Sequence, residues 1–206
     1  MFDLSIETLL GRVIGIVLGF ALHEWAHAYT AYRLGDNTAY NQGRLTVDPR
    51  AHIDPLGLML AFVVGFGWAK PVPVNPRAFY PNEKRGLMIV SLAGPLMNLA
   101  IAVVFGVLIQ VVGGMGDFIT NVLGAVVLFN LVLFVFNLLP FSPLDGYKIA
   151  VGVLPAEQSY QMVRHERDTT LMLLVLLMLG AISWGRFDPL WTVLGPPLRF
   201  LYHVLV

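Results

Sequence analysis

Three stretches of this chain, at 8–34, 86–112 and 119–140, stay apolar for longer than the roughly 20 residues a helix needs to cross a bilayer. Inside lipid every backbone N–H and C=O must find a partner within the protein, so stretches of this kind can only be helices. A shorter apolar pair follows at 169–184 and 189–206, and a run at 56–68 is too short to cross untilted and reads as a re-entrant segment. Composition agrees: 57% of residues are hydrophobic and 13% charged, against about 25% charged in soluble domains. The expected fold is an all-α polytopic membrane protein with five to six membrane helices, the short re-entrant segment included.

Thirteen basic and thirteen acidic residues leave no net charge, so no nucleic-acid partner is expected. Cysteine is absent, which removes disulfides, thiolate metal sites and thiol nucleophiles together. Any metal ligands must be His, Asp or Glu. The N-terminus lacks the basic region, short apolar core and small-residue cleavage site of a signal peptide, so the first span is expected to stay in the protein. Basic residues concentrate at 33–85 and 148–167 and are missing from the connection 113–118. The positive-inside rule then puts both basic stretches in the cytoplasm, the N-terminus outside and the C-terminus inside, with the first span running inward. Arg186 and Arg199 near the last pair run against the pattern.

Between 35 and 55, Asn41-Gln42-Gly43 is a turn signal followed by the β-prone Arg44-Leu45-Thr46-Val47. A small hairpin at the cytoplasmic membrane surface is expected here. Prolines 71, 73 and 76 forbid helix and favour a stiff, extended loop. With no internal repeat and no linker, the chain reads as one domain over 1–206, its core at about 8–150 and a C-terminal helix pair at about 169–206.

Within the first apolar stretch stands His23-Glu24-Trp25-Ala26-His27, an HExxH motif. On a helix the two imidazoles project from one face about 6 Å apart and can share a zinc ion, with the glutamate beside them as base for a metal-activated water. Ionisable side chains inside a span cost about 2.5–3.5 kcal/mol each near the centre and mark functional sites.

A catalytic zinc has three protein ligands and an open position, so a third is needed. An HExxHxxGxxH site would require glycine at Thr30 and histidine at Arg33. The next glutamate, Glu83, lies in a polar loop, His165 in a charged loop, and His203 near the C-terminus. His52 competes, although tying a surface loop suits it better. Asp145 remains, after a proline-broken end to the third apolar run, where irregular backbone lines protein or water.

Taken together, His23-Glu24-Trp25-Ala26-His27, Gly94-Pro95-Leu96-Met97-Asn98 and Asn137-Leu138-Leu139-Pro140-Phe141-Ser142-Pro143-Leu144-Asp145-Gly146 resemble the three core motifs of the site-2 protease family of intramembrane zinc metalloproteases. The resemblance covers about residues 8–150. It implies one Zn2+ per chain on His23, His27 and Asp145, Glu24 as general base, and Asn137 contacting substrate or the developing oxyanion. Asn98 would support the site, and Gly94 would let helices approach closely. No PDZ or CBS module is present, so the chain is similar to the minimal bacterial or archaeal type, resident in the cell membrane.

If the first span ends near Leu34 in the cytoplasm, His27 lies roughly 10 Å and His23 about 16 Å below that surface. The substrate implied is the membrane span of another protein, cleaved in regulated intramembrane proteolysis after local unwinding, with the hairpin around 42–47 taking it up as an added strand. The alternative is a non-proteolytic zinc-binding membrane scaffold or transporter. A transporter should show repeated broken helices or a polar path through several spans, and a purely structural metal site has no use for Glu24. Elsewhere the bland readings hold. Phe129, Phe134 and Phe136 pack or face lipid, Trp68, Trp184 and Trp191 anchor at interfaces, and Arg12 lies near the outer headgroups. Glu157, Arg164, Glu166 and Arg167 form a solvated cytoplasmic turn.

Overall fold

The computed structural model describes residues 5–63, 67–112, 116–183 and 187–206. Trp184 and Arg186 lie outside the described residues, as do part of the 113–118 connection and part of the 56–68 run.

Helix α1, Ile6–Arg33, begins at Ser5, whose Oγ accepts from the Thr8 amide, a serine cap on a terminus that would otherwise leave its N–H groups unpaired. It ends where Gly35 takes φ +99°. The Gly35 amide then donates to the Tyr32 carbonyl and the Asp36 amide to that of Ala31, the paired bonds of a Schellman stop. Helix α2 is a single turn, Thr38–Asn41, and α3 spans Pro55–Val63. Helices α4, Glu83–Val112, and α5, Asp117–Asn137, are the next long ones. With α1 they are the three helices among the described residues long and apolar enough to cross a membrane.

These three pack against one another and form the frame of the molecule. Gly11, Gly15 and Gly19 lie one turn apart along α1 and face α5. A Cβ on Gly11 would overlap the Val122 carbonyl oxygen and the Ala125 Cβ, and one on Gly15 would stand 3.1 Å from the Phe129 Cβ. Small residues in this spacing let helix backbones approach where lipid supplies no hydrophobic drive. Phe20 and Phe129 close the seam edge to face, with centroids 6.3 Å apart.

Downstream, α6 (Asp145–Val153) lies along α4, α7 (Ala156–Arg164) follows it, and α8 (Glu166–Ile182) and α9 (Pro189–Leu205) complete the order. A second core joins α9 and α8 to the frame through Ala102, Ile109, Val127, Leu131, Leu173, Leu190, Leu194 and Leu198. Helices α8 and α9 have 17 residues each and α3 has 9 among the described residues, all shorter than the three long helices.

Two expectations from the sequence are corrected. No strand forms at 42–47, and no hairpin with it; the described residues hold one isolated bridge, Ile53 with Ala69. Short polar side chains take the backbone donors a ladder would need. Thr46 Oγ1 accepts from the Asp48 amide, and Asp48 caps the 3-10 turn Pro49–Ala51 through the Arg50 amide. The Arg50 guanidinium, 2.7 Å from Asp48 Oδ2, also holds that carboxyl below its ordinary range. Second, the segment read as a solvated turn is two helices, α7 and the start of α8, and Glu166 accepts from the buried Ser142 hydroxyl at 3.0 Å.

The Ile53–Ala69 bridge, with the Lys70 amide on the His52 carbonyl at 2.7 Å, brings both ends of the 54–68 excursion together. That segment therefore returns to the place it left. The stretch 70–75 is extended, as its prolines require. Its Lys70 amide reaches the His52 carbonyl, the Val72 amide reaches Glu24, and the Asn75 amide reaches Asp36.

Candidate metal centre

His23 and His27 sit one turn apart on the inner face of α1, their rings nearly perpendicular at 87°. Asp145 comes from another element, as the first residue of α6. Pro140 and Pro143 prevent α5 from continuing, and the chain folds through tight turns before α6 begins at Asp145. Gly146 permits this return: a Cβ there would run into the Leu138 and Leu139 carbonyl oxygens. From outside the turn, the Thr169 hydroxyl accepts from the Ser142 amide while Glu166 holds the Ser142 hydroxyl.

The three side chains meet closely. Asp145 Oδ2 lies 3.0 Å from His23 Nε2 and 3.1 Å from His27 Nε2, and the two Nε2 atoms are 3.0 Å apart. Their outer nitrogens fix what faces inward. His27 Nδ1 is 2.7 Å from the Val90 carbonyl, which can only accept, so this nitrogen carries the proton. His23 Nδ1 is 2.6 Å from Asn98 Oδ1. Asn98 is oriented by its own amide nitrogen, which donates to the Gly19 carbonyl and to Asn130 Oδ1, both at 3.1 Å. His23 Nδ1 is therefore also a donor.

Two imidazole lone pairs and a carboxylate oxygen thus point at one another in a buried site, a repulsive set that a cation would reconcile. Tetrahedral zinc with bonds of about 2.0–2.1 Å separates its ligand atoms by about 3.3 Å, close to the spacing found. Space for an ion is left by Gly94, since a Cβ there would overlap His27 Nε2 and lie 2.6 Å from His23 Nε2. His23, His27 and Asp145 are the group among the described residues that could hold a metal ion.

The other candidates fall around this centre. Glu24 is buried, and its Oε2 accepts from the Val72 amide at 2.7 Å; no described residue hydrogen-bonds Oε1. Asn137 closes α5 with its Nδ2 on the Leu133 carbonyl, 3.0 Å away, and makes no hydrogen bond to the cluster. His52 is fully buried in the 43–54 loop, with Nε2 on the Thr46 carbonyl at 2.7 Å, and takes no part in the cluster. Sequence reasoning passed over Asn130, although an asparagine in the middle of an apolar helix is a signal of the same kind as Asn98. The Gly11, Gly15, Gly19 stripe was likewise readable from its spacing.

No family model matches the chain, and no solved structure does. Curated relatives do. The chain is 40% identical over 174 residues to "Putative zinc metalloprotease YwhC" of Bacillus subtilis, covering 81% of this chain and 79% of that protein. It is 34% identical over 183 residues to "Putative zinc metalloprotease Rip2" of Mycobacterium tuberculosis, covering 85% and 69%. Against "Putative zinc metalloprotease MJ0611" of Methanocaldococcus jannaschii identity is 30% over 149 residues, 71% of this chain and 72% of that one. Identity at this level over most of both chains shows that the protein belongs to the family these relatives form.

Proposed function

We propose that the protein is an intramembrane zinc endopeptidase of the site-2 protease type, cleaving peptide bonds in or near the membrane segments of other proteins in regulated proteolysis. The observation that carries this reading is the convergence of His23 Nε2, His27 Nε2 and Asp145 Oδ2 within 3.1 Å on the buried face of a helix apolar enough to span a bilayer. A lone metal-binding scaffold would not need Glu24 beside the ligands.

His23, His27 and Asp145 would hold the zinc ion, a set of three protein ligands as catalytic zinc uses. When bound, the ion supplies Lewis acidity to a peptide carbonyl and to water. Glu24 takes the proton of the attacking water and delivers it to the leaving amine. The Val72 amide anchors Oε2 of that carboxylate and leaves Oε1 for the proton. Asn98 holds His23 in the ligating tautomer. Asn137 gives one Nδ2 hydrogen to the Leu133 carbonyl and has the second to offer the developing oxyanion. The partner is a transmembrane protein whose helix unwinds locally, because a helical peptide bond is closed off by its own hydrogen bonds. Basic residues at 33–85 and 148–167 orient the multi-pass chain with the centre nearer the cytoplasm of a bacterial or archaeal cell.

Metal analysis of the detergent-purified protein, alongside cleavage of a model transmembrane peptide, tests the reading. Glu24→Gln should keep about one zinc per chain and lose about 10²–10⁴-fold in cleavage rate, whereas Asp145→Asn should lose both metal and cleavage. Cleavage surviving in both variants would remove the mechanism.

A further inference from the structure

Asn130 stands in α5, fully buried, two hydrogen bonds away from the metal ligands. Its Oδ1 accepts from Asn98 Nδ2 at 3.1 Å, and its Nδ2 donates to the Val126 carbonyl at 3.0 Å and the Gly15 carbonyl at 3.5 Å. With the His23 to Asn98 bond this makes a chain of donors running outward from the centre, across α1, α4 and α5. Every member has one permitted orientation. If Asn130 turned over, its NH₂ would face that of Asn98 and its oxygen would face two carbonyls. If Asn98 turned over, its NH₂ would face His23 Nδ1, which would have to become the acceptor. The ring proton would then sit on Nε2, between the ligands, where an ion belongs.

We infer that Asn130 is a positioning residue for the metal centre: by accepting from Asn98 it enforces the His23 tautomer whose Nε2 lone pair can ligate. This rests on the zinc reading above. The Gly19 carbonyl, on the other Asn98 amide hydrogen, supplies the second half of the constraint, so removing Asn130 weakens the site without abolishing it.

Zinc affinity, measured by chelator competition on the folded protein in detergent, is the readout. Asn130→Leu keeps the branching at Cγ and removes the acceptor, and should weaken zinc binding by about 10-fold, the lower end for groups that orient a ligating histidine. Asn130→Asp keeps an oxygen that accepts from Asn98, so affinity should return to within about threefold of wild type. In an Asn98→Ala background the Asn130→Leu effect should vanish, because the relay is already cut. Wild-type affinity in a folded Asn130→Leu protein overturns the inference, as does an undiminished effect in the Asn98→Ala background. Should leucine prevent folding, Asn130→Ala is read by the same outcomes. Asp145→Asn separates the two levels. If it loses zinc while Asn130→Leu does not, the relay fails and the centre stands; if it binds as wild type does, the centre itself fails.

Discussion

At the scale of single residues, the centre depends as much on an absent side chain as on those present. Gly94 lets α4 pass directly over the two imidazoles, and a methyl group there would occupy the space between Nε2 of His23 and Nε2 of His27. Forcing an extra methyl into a packed site costs about 1–3 kcal/mol. Gly94→Ala should therefore bind zinc about 5- to 150-fold more weakly while its circular dichroism stays that of the wild type. Unchanged affinity in chelator competition would mean that the ion sits elsewhere. The two histidines and the glutamate of the candidate centre were readable as a motif, and Asp145 by elimination and resemblance. The hydrogen bonds that give the histidines their tautomers were not, because Val90, Asn98 and Asn130 lie 63, 75 and 107 positions from the rings they serve.

At the scale of elements, α1 docks on α5 through Gly11, Gly15 and Gly19, and the three positions are not equivalent. A methyl at Gly11 meets backbone, the Val122 carbonyl, which cannot yield without moving α5. At Gly15 the nearest atoms are 3.1 and 3.3 Å away, and replacing a helical glycine by alanine returns about 1 kcal/mol of helix propensity. Gly11→Ala should thus destabilise the fold by about 1–3 kcal/mol, and Gly15→Ala should be close to neutral. Denaturant titration of helicity in mixed micelles checks this order; equal effects would show that the seam is not rigid at Gly11. The helix boundaries were largely readable from apolar length, with the expected run 8–34 appearing as Ile6–Arg33. The hairpin failed as an expectation because β propensity at 44–47 lost to local side-chain bonds from Thr46 and Asp48. Helices α6 and α7 escaped notice because nine residues each give little periodic signal.

For the whole molecule, the candidate ligands come from separate elements that both lie on α4: the histidines from α1, while Asp145 opens α6. A bound ion is then a cross-link, and a ligand present at 100 times its dissociation constant stabilises the folded state by about 2.7 kcal/mol. Stripping zinc with a chelator should lower the thermal midpoint by about 5–10 °C, taking about 2–4 °C per kcal/mol for a protein of this size. Asp145→Asn should show no such shift, and an equal drop in that variant would place the effect outside the centre. By itself the sequence determined which stretches are helices fit for lipid and which residues carry metal-binding chemistry, since both follow from local composition and spacing. Only the tertiary structure decided that Asp145 meets His23 and His27, that Val72 holds Glu24, and that Asn130 stands behind Asn98. Those contacts depend on how closely α1, α4 and α5 approach, a distance set by packing between residues far apart in the chain.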